Sequence, residues 1–219
     1  MTKLDEFKES IKNKKITVIG IGISNLPLIK YLVSLGAYVT ACDKRNKEDL
    51  GKNYTELESL GIKFNLGENY LDNIDGEIVF KTPGMRFDVP ALNKARERGA
   101  VVTSEMEIFF DVCPSHIIAV TGSDGKTTTT TLISKMMSGE GYKTWLGGNI
   151  GNPLLTDTEK MKENDWVILE LSSFQLHTMR KSPEIAVITN ISTNHLDMHK
   201  DYKEYIDAKK NIMLYQNAG

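Results

Sequence analysis

The residues most suited to chemistry lie in one short stretch, Thr121-Gly122-Ser123-Asp124-Gly125-Lys126-Thr127-Thr128. The apolar, β-branched run Ile117 to Val120 precedes it, and a helical pattern follows. Strand, glycine turn, lysine, hydroxyl and helix fall in the order of a phosphate-binding loop. Backbone N–H groups of Gly122, Ser123, Asp124 and Gly125 and of the helix start at Lys126, Thr127 and Thr128 would face an anion there, aided by the helix dipole. Lys126 would reach outer phosphates as a point charge, and the Thr127 hydroxyl would ligate Mg2+. Val120 stands where the longer Walker pattern has glycine, so the match is to the shorter form Thr-Gly-x-x-Gly-Lys-Thr-Thr. A plain glycine turn with a capping lysine has the same letters.

Further candidates follow in the same half of the chain. The apolar strand Trp166 to Leu169 ends on Glu170, placed to hold a metal beside the loop or to cap the next helix. Ser172 and Gln175 open that helix and offer hydrogen bonds near the metal. Three glycines surround Asn149, whose amide could meet a substrate or simply sit in a tight loop. His195 lies beyond the strand Glu184 to Asn190 and is a candidate second metal ligand; Asp197 and His199 are weaker ones. Lys209 and Lys210 fall on a helix over 202–215 with Tyr205, Ala208, Ile212 and Tyr215 inward, and would ordinarily form a solvated face.

The first half carries a second glycine turn. Gly20, Gly22, Ser24 and Asn25 join a strand from Ile16 to a helix with Leu26, Ile29, Leu32 and Val33 on its apolar face. Asp43 ends the next strand and Lys44 and Arg45 follow it. This βαβ unit fits a dinucleotide, another diphosphate such as a nucleotide sugar, or a purely structural turn. Thr82 and Gly84 flank Pro83 after a later strand, where open α/β sheets place ligands, although a plain turn fits equally.

Strands and helices alternate throughout, which predicts α/β architecture with mostly parallel sheets. Pro114 suggests a boundary, giving a Rossmann-like domain over 1–112 and a P-loop ATPase-type domain over 113–219. The net charge is −2 for 219 residues, which gives no argument for nucleic acid. No apolar run approaches the ~18 residues of a membrane span, and the charged N-terminus is no signal peptide. Cys42 and Cys113 read as buried free thiols in a reducing compartment, so a cytoplasmic protein without membrane insertion is expected, as a monomer.

Taken together, the phosphate loop, Gly148 to Gly151, Glu170 to Leu176, Asn190 to Asp197 and Tyr205 to Lys209 resemble the Mur ligases, and within them the branch that adds D-glutamate. The two glycine and proline turns of the first half resemble the N-terminal domain of the same branch. The resemblance implies ATP- and Mg2+-dependent ligation of D-glutamate to UDP-N-acetylmuramoyl-L-alanine through an acyl phosphate, in peptidoglycan synthesis. It implies that Lys126 supplies charge, that Thr127 and Glu170 serve one metal, and that His195 serves another with a carbamylated Lys209. It further implies that Gly22, Ser24, Asn25, Asp43, Lys44, Arg45, Thr82 and Gly84 hold the UDP part, and that Asn149, Ser172 and Gln175 serve the substrate near its reacting end. Asn194 and Lys44 depart from the family pattern. Family members continue beyond a central domain into a third, D-glutamate-binding one, so the chain reads as an N-terminal and partial central segment without turnover of its own. The other readings are a Mur ligase adding a different amino acid, an NAD-binding regulatory module resting on Gly20, Gly22 and Asp43, and a non-catalytic nucleotide switch.

Overall fold

A computed structural model describes residues 1–192 and 199–216. The chain divides into two compact units, Met1–Val112 and Cys113–Gly219. In the first, α1 (Lys3–Ile11) precedes β1 (Lys15–Ile19), α2 (Asn25–Ser34), β2 (Tyr38–Asp43), α3 (Lys47–Leu50), α4 (Lys52–Glu58) and β3 (Lys63–Leu66). Then come β4 (Ile78–Phe80), α5 (Pro90–Glu97), β5 (Val101–Thr103) and α6 (Glu105–Val112). The strands form one parallel sheet in the order β3-β2-β1-β4-β5. The second unit contains β6 (His116–Thr121), α7 (Lys126–Gly139), β7 (Thr144–Gly148), a 3-10 turn (Leu155–Lys160), β8 (Trp166–Glu170), α8 (Ser173–Leu176), β9 (Ile185–Ile188) and α9 (Tyr202–Leu214). Its sheet is also parallel, ordered β7-β8-β6-β9. The expected α/β class and parallel sheets are those observed.

Sheets covered on both faces need strands apolar on both faces. β1 and β8 satisfy this: Ile16 to Ile19 and Val167 to Glu170 are all buried. Two helix faces differ from the expected ones. In α2 the buried residues are Asn25, Leu28, Ile29 and Leu32, while Leu26 and Val33 are half-buried. In α9, Tyr205, Ala208 and Ile212 are buried as expected, but Lys209 and Asn211 join them and Tyr215 is exposed. Both cysteines are free thiols; Cys42 is buried and Cys113 half-buried. Burial pushes the Cys42 thiol up to about 12, which leaves it unreactive. Among the described residues, no helix is long and apolar enough to cross a membrane.

The first glycine turn is held by Asp43. Its carboxylate accepts the Ile21 N–H at 2.6 Å and the Arg45 N–H at 2.9 Å. It also accepts two guanidinium bonds from Arg45, whose Nη2 reaches Ile21 O at 2.7 Å. Burial works to raise this carboxyl, but the Arg45 guanidinium and the two backbone donors outweigh it and hold it below the ordinary range. A depressed carboxyl contributes stability that is present above its unfolded pKa and is lost as pH falls through its folded one. Asp43→Asn should therefore cost roughly 1–3 kcal/mol in urea unfolding at pH 7. The difference from the parent chain should shrink as pH falls below the ordinary carboxylate range and through the depressed pKa of folded Asp43; a gap that stays constant with pH would contradict the assignment.

Candidate functional site

The parallel register of the second sheet fixes where its strand ends lie. β8 pairs Glu170 with Val120 of β6 on one side and with Gly148 of β7 on the other. The loops after all three strands therefore open on one edge, where parallel α/β sheets bind ligands. Glu170 is only 2% exposed. Its carboxylate accepts the Thr127 hydroxyl at 2.6 Å and the Asn149 amide at 2.9 Å. The Asn149 N–H also donates to Glu170 O at 2.8 Å. Gly148, at φ +96°, lets this approach happen, since a Cβ there would overlap the Glu170 carbonyl.

The phosphate loop is braced from the far strand and from α9. Asn190 O accepts the Ser123 N–H and its side-chain oxygen accepts the Asp124 N–H. Thr189 and Asn190 side chains both donate to Asp124 O. Ser123 Oγ lies 2.8 Å from Tyr205 Oη and also exchanges bonds with the Ser192 backbone. The expectation that Ser123 and Asp124 present their N–H groups to an anion is corrected here: both are committed to Asn190, and the Ser123 side chain is buried. The N–H groups of Lys126, Thr127 and Thr128 precede the first helical bond, from Thr129 N–H to Gly125 O. Gly125, left-handed at φ +78°, turns the chain into that helix start.

Two lysines converge on one carbonyl. Lys126 Nζ donates to Gly122 O at 3.0 Å and Ser123 O at 2.8 Å. Lys209 Nζ donates to Gly122 O at 2.8 Å and Thr121 Oγ1 at 3.4 Å, and lies 4.7 Å from the Tyr205 ring centre. Lys209 is thus buried beneath the loop, not on a solvated face. Burial, reinforced by the positive charge of Lys126, lowers its amine to about 8.

Ser172 and Gln175 form a reciprocal cap on α8: Ser172 N–H donates to Gln175 Oε1 at 3.0 Å and Gln175 N–H to Ser172 Oγ at 3.3 Å. These side chains are engaged with one another, as a capping box requires, and not with a ligand site. His195, with Asn194 and Asp197, lies outside the described residues.

In the first unit a cavity of about 490 Å³ opens at the C-terminal edge of the sheet. Gly22, Asp43, Lys44, Arg45, Thr82 and Gly84 of the expected set line it. Gly20, at φ +89°, lies against Thr82, where a Cβ would come within 3.1 Å. One expectation changes. Asn25 is buried and donates to Ile19 O at 2.9 Å, bracing the turn from below. Ser24 stands at the N-cap of α2, half-buried. Asp43 faces the cavity, yet both its oxygens already serve Ile21 and Arg45, which removes the acceptor a dinucleotide ribose needs and speaks against the NAD reading. Tyr70, Met85, Arg86 and Val89 complete the lining and were not anticipated. The available signal was an aromatic and apolar residues in loops just past strand ends.

Residues 14–104 match the family model for the Mur ligase MurD-like N-terminal domain, and residues 120–219 match that for the Mur ligase middle domain. A UDP-N-acetylmuramoylalanine--D-glutamate ligase of Acetivibrio thermocellus is 60% identical over 99% of this chain, and one of Clostridium novyi (strain NT) is 62% identical over 98%. The chain spans about half the length of these relatives, 47% of each. The solved UDP-N-acetylmuramate-alanine ligase of Thermotoga maritima superposes with a TM-score of 0.52 at 26% identity, covering 91% of this chain and 47% of that one.

Two glycines give a matched pair of tests. Gly148→Ala places a Cβ against the Glu170 backbone at positive φ and should cost roughly 2–4 kcal/mol in urea unfolding. Gly22→Ala meets nothing within 4 Å and should cost under about 1 kcal/mol. Equal effects would sink the claim that Gly148 is required by the approach of β8.

Proposed function

The chain belongs to the Mur ligase family, and on that premise we propose that it contributes the UDP-substrate and ATP-binding parts of a ligase joining D-glutamate to UDP-N-acetylmuramoyl-L-alanine. The observation that carries the reading is the Thr127 hydroxyl and the buried Glu170 carboxylate, 2.6 Å apart beside two lysines at the phosphate loop. The unit over 113–219 is then the ATP-binding part, and the unit over 1–112 the UDP-binding part.

The donor set suits the expected groups. Hydroxyl and carboxylate oxygens are hard ligands of the kind Mg2+ takes together with phosphate oxygens. When bound, Mg2+ and ATP would supply a phosphoryl group with its charge neutralised, the main requirement of phosphoryl transfer. Lys126 is positioned to exchange its carbonyl partners for phosphate oxygens. The α7 N-terminus offers N–H donors to the same anion. Asn149 holds Glu170 in place from the substrate side. In the first unit, Lys44 brings positive charge to the cavity, Arg45 lines it while paired with Asp43, and Thr82 and the Gly84 N–H bring hydrogen bonds for a diphosphate.

Lys209 is read as the carbamylated lysine of this arrangement. Its neutral amine would attack CO2, releasing a proton and leaving an anionic oxygen ligand. An amine at about 8 is far more often neutral near pH 8 than an ordinary lysine. With 13C-bicarbonate, the chain should show a carbamate carbon signal that grows as pH rises through about 8 and is missing in Lys209→Arg. A spectrum identical in both would remove Lys209 from this role.

Calorimetric titration with UDP-N-acetylmuramoyl-L-alanine should give one site. UDP-N-acetylmuramate, lacking the alanine, should bind more weakly if Asn149 meets the reacting end. Lys126→Ala should weaken Mg2+–nucleotide binding roughly tenfold or more while leaving the UDP-substrate affinity unchanged. Binding of NAD in place of the UDP substrate would overturn the proposal.

A further inference from the structure

A second set of ligand-type side chains lies in the 113–219 unit, apart from the phosphate loop's own metal donors. His177 caps the C-terminus of α8, Glu204 sits in the first turn of α9, and His199 is buried beside them. One ligand atom of each lies within 4.8 Å of the others. We propose that His177, His199 and Glu204 form a site for a divalent transition metal of the zinc class.

The geometry supports it in three ways. First, the two distances to the carboxylate are close to those of a tetrahedral site, and the two histidine nitrogens lie within 4.8 Å of one another. Glu204 Oε1 is 3.3 Å from His199 Nδ1 and 3.8 Å from His177 Nε2. Metal–ligand bonds of ~2.0–2.1 Å at tetrahedral angles place ligand atoms about 3.3 Å apart. Second, the supporting contacts orient His199. Its Nε2 lies 2.9 Å from Ser173 Oγ, which as acceptor fixes Nε2–H and leaves the Nδ1 lone pair toward Glu204. The ring is stacked on Phe174, with centres 5.1 Å apart and planes 5° from parallel, and meets the Tyr205 ring edge-on at 5.4 Å. Third, the elements carrying the ligands are tied together. Asn211 Nδ2 donates to Leu176 O at 2.8 Å and His177 O at 3.4 Å, joining α9 to the end of α8. The Asp201 side chain caps α9 through the Glu204 N–H at 2.8 Å.

Chemistry then selects the ion. Two imidazoles and one carboxylate are a nitrogen-rich set favoured by zinc, cobalt and nickel over magnesium. His177 and Glu204 border an open cavity of about 400 Å³, so a fourth position is reachable from solvent. The site lies at the junction of α8 and α9, and α9 also carries Tyr205 and Lys209 beneath the phosphate loop. Its occupation would stiffen the helix that braces that loop.

The test uses the untagged chain and Co2+ alone as a spectroscopic probe, with millimolar Mg2+ present. One equivalent of Co2+ should give visible absorption of tetrahedral intensity, and Zn2+ should abolish it. His177→Ala and Glu204→Gln, both partly exposed, should each lower Co2+ affinity at least tenfold, with far-UV circular dichroism confirming folding. Glu170→Gln should leave the signal intact, which separates this site from the phosphate-loop metal. Absence of tetrahedral absorption, or a signal lost with Glu170→Gln and kept in His177→Ala, would overturn the proposal.

Discussion

Parallel strand pairing imposes the constraint on which the second unit depends. In a parallel sheet every strand ends on the same edge, so residues distant in sequence are delivered to one place without any loop needing to fold back. Here β8 lies between β7 and β6, and its last residue is an acid. Slipping that register by one residue would turn Glu170 to the opposite face of the sheet and separate it from Thr127. The apolar run Val167 to Leu169, buried on both faces, fixes the strand in the sheet and thereby positions the carboxylate. The position of the carboxylate at this edge is a consequence of how a hydrophobic strand must pack.

The phosphate loop itself is not free to choose its shape. Its carbonyls and two of its N–H groups are bound by Asn190, Thr189, Lys126 and Lys209, and Tyr205 holds Ser123 from α9. Such bracing removes conformational freedom from the loop, so that binding an anion there would order fewer groups. It also divides the work within the loop. Ser123 and Asp124 are structural, whereas the helix start from Lys126 to Thr128 faces outward. A sequence motif gives both halves equal weight, because it records residue types and spacing and not which N–H groups are already engaged.

Much of the architecture was legible because its signals are local. Buried strands such as Ile16–Ile19 and Val167–Leu169 announce themselves as largely apolar runs, glycines at 122 and 148 mark backbone that a side chain would obstruct, and Gly125 marks a left-handed turn. The pairing of Thr127 with Glu170 could be anticipated from a strand ending in an acid beside such a loop. What stayed hidden were tertiary decisions. Lys209 looks like half of a surface lysine pair, and only the packing of α9 under the loop buries it. Asn25 and Gln175 look like ligands by type but are spent on Ile19 O and on the α8 cap. Tyr70 and Arg86 line the first cavity from loops whose course no periodicity records.

The two units solve the same problem with acids that play opposite parts. Asp43 and Glu170 each end a central parallel strand beside a glycine turn, and each is nearly buried. Asp43 carries its own cation, Arg45, and is thereby neutralised within the fold. Among the described residues, Glu170 receives only neutral donors, the Thr127 hydroxyl and the Asn149 amide, while the two nearby lysines donate to carbonyls instead. A buried carboxylate without an intramolecular counter-ion costs several kcal/mol, and a cation from outside recovers that cost on binding. The first acid therefore builds a turn, whereas under the proposed function the second would take a bound metal as its counter-ion. This difference, set by whether an arginine follows the strand two residues later, separates the two acids on otherwise similar sheets.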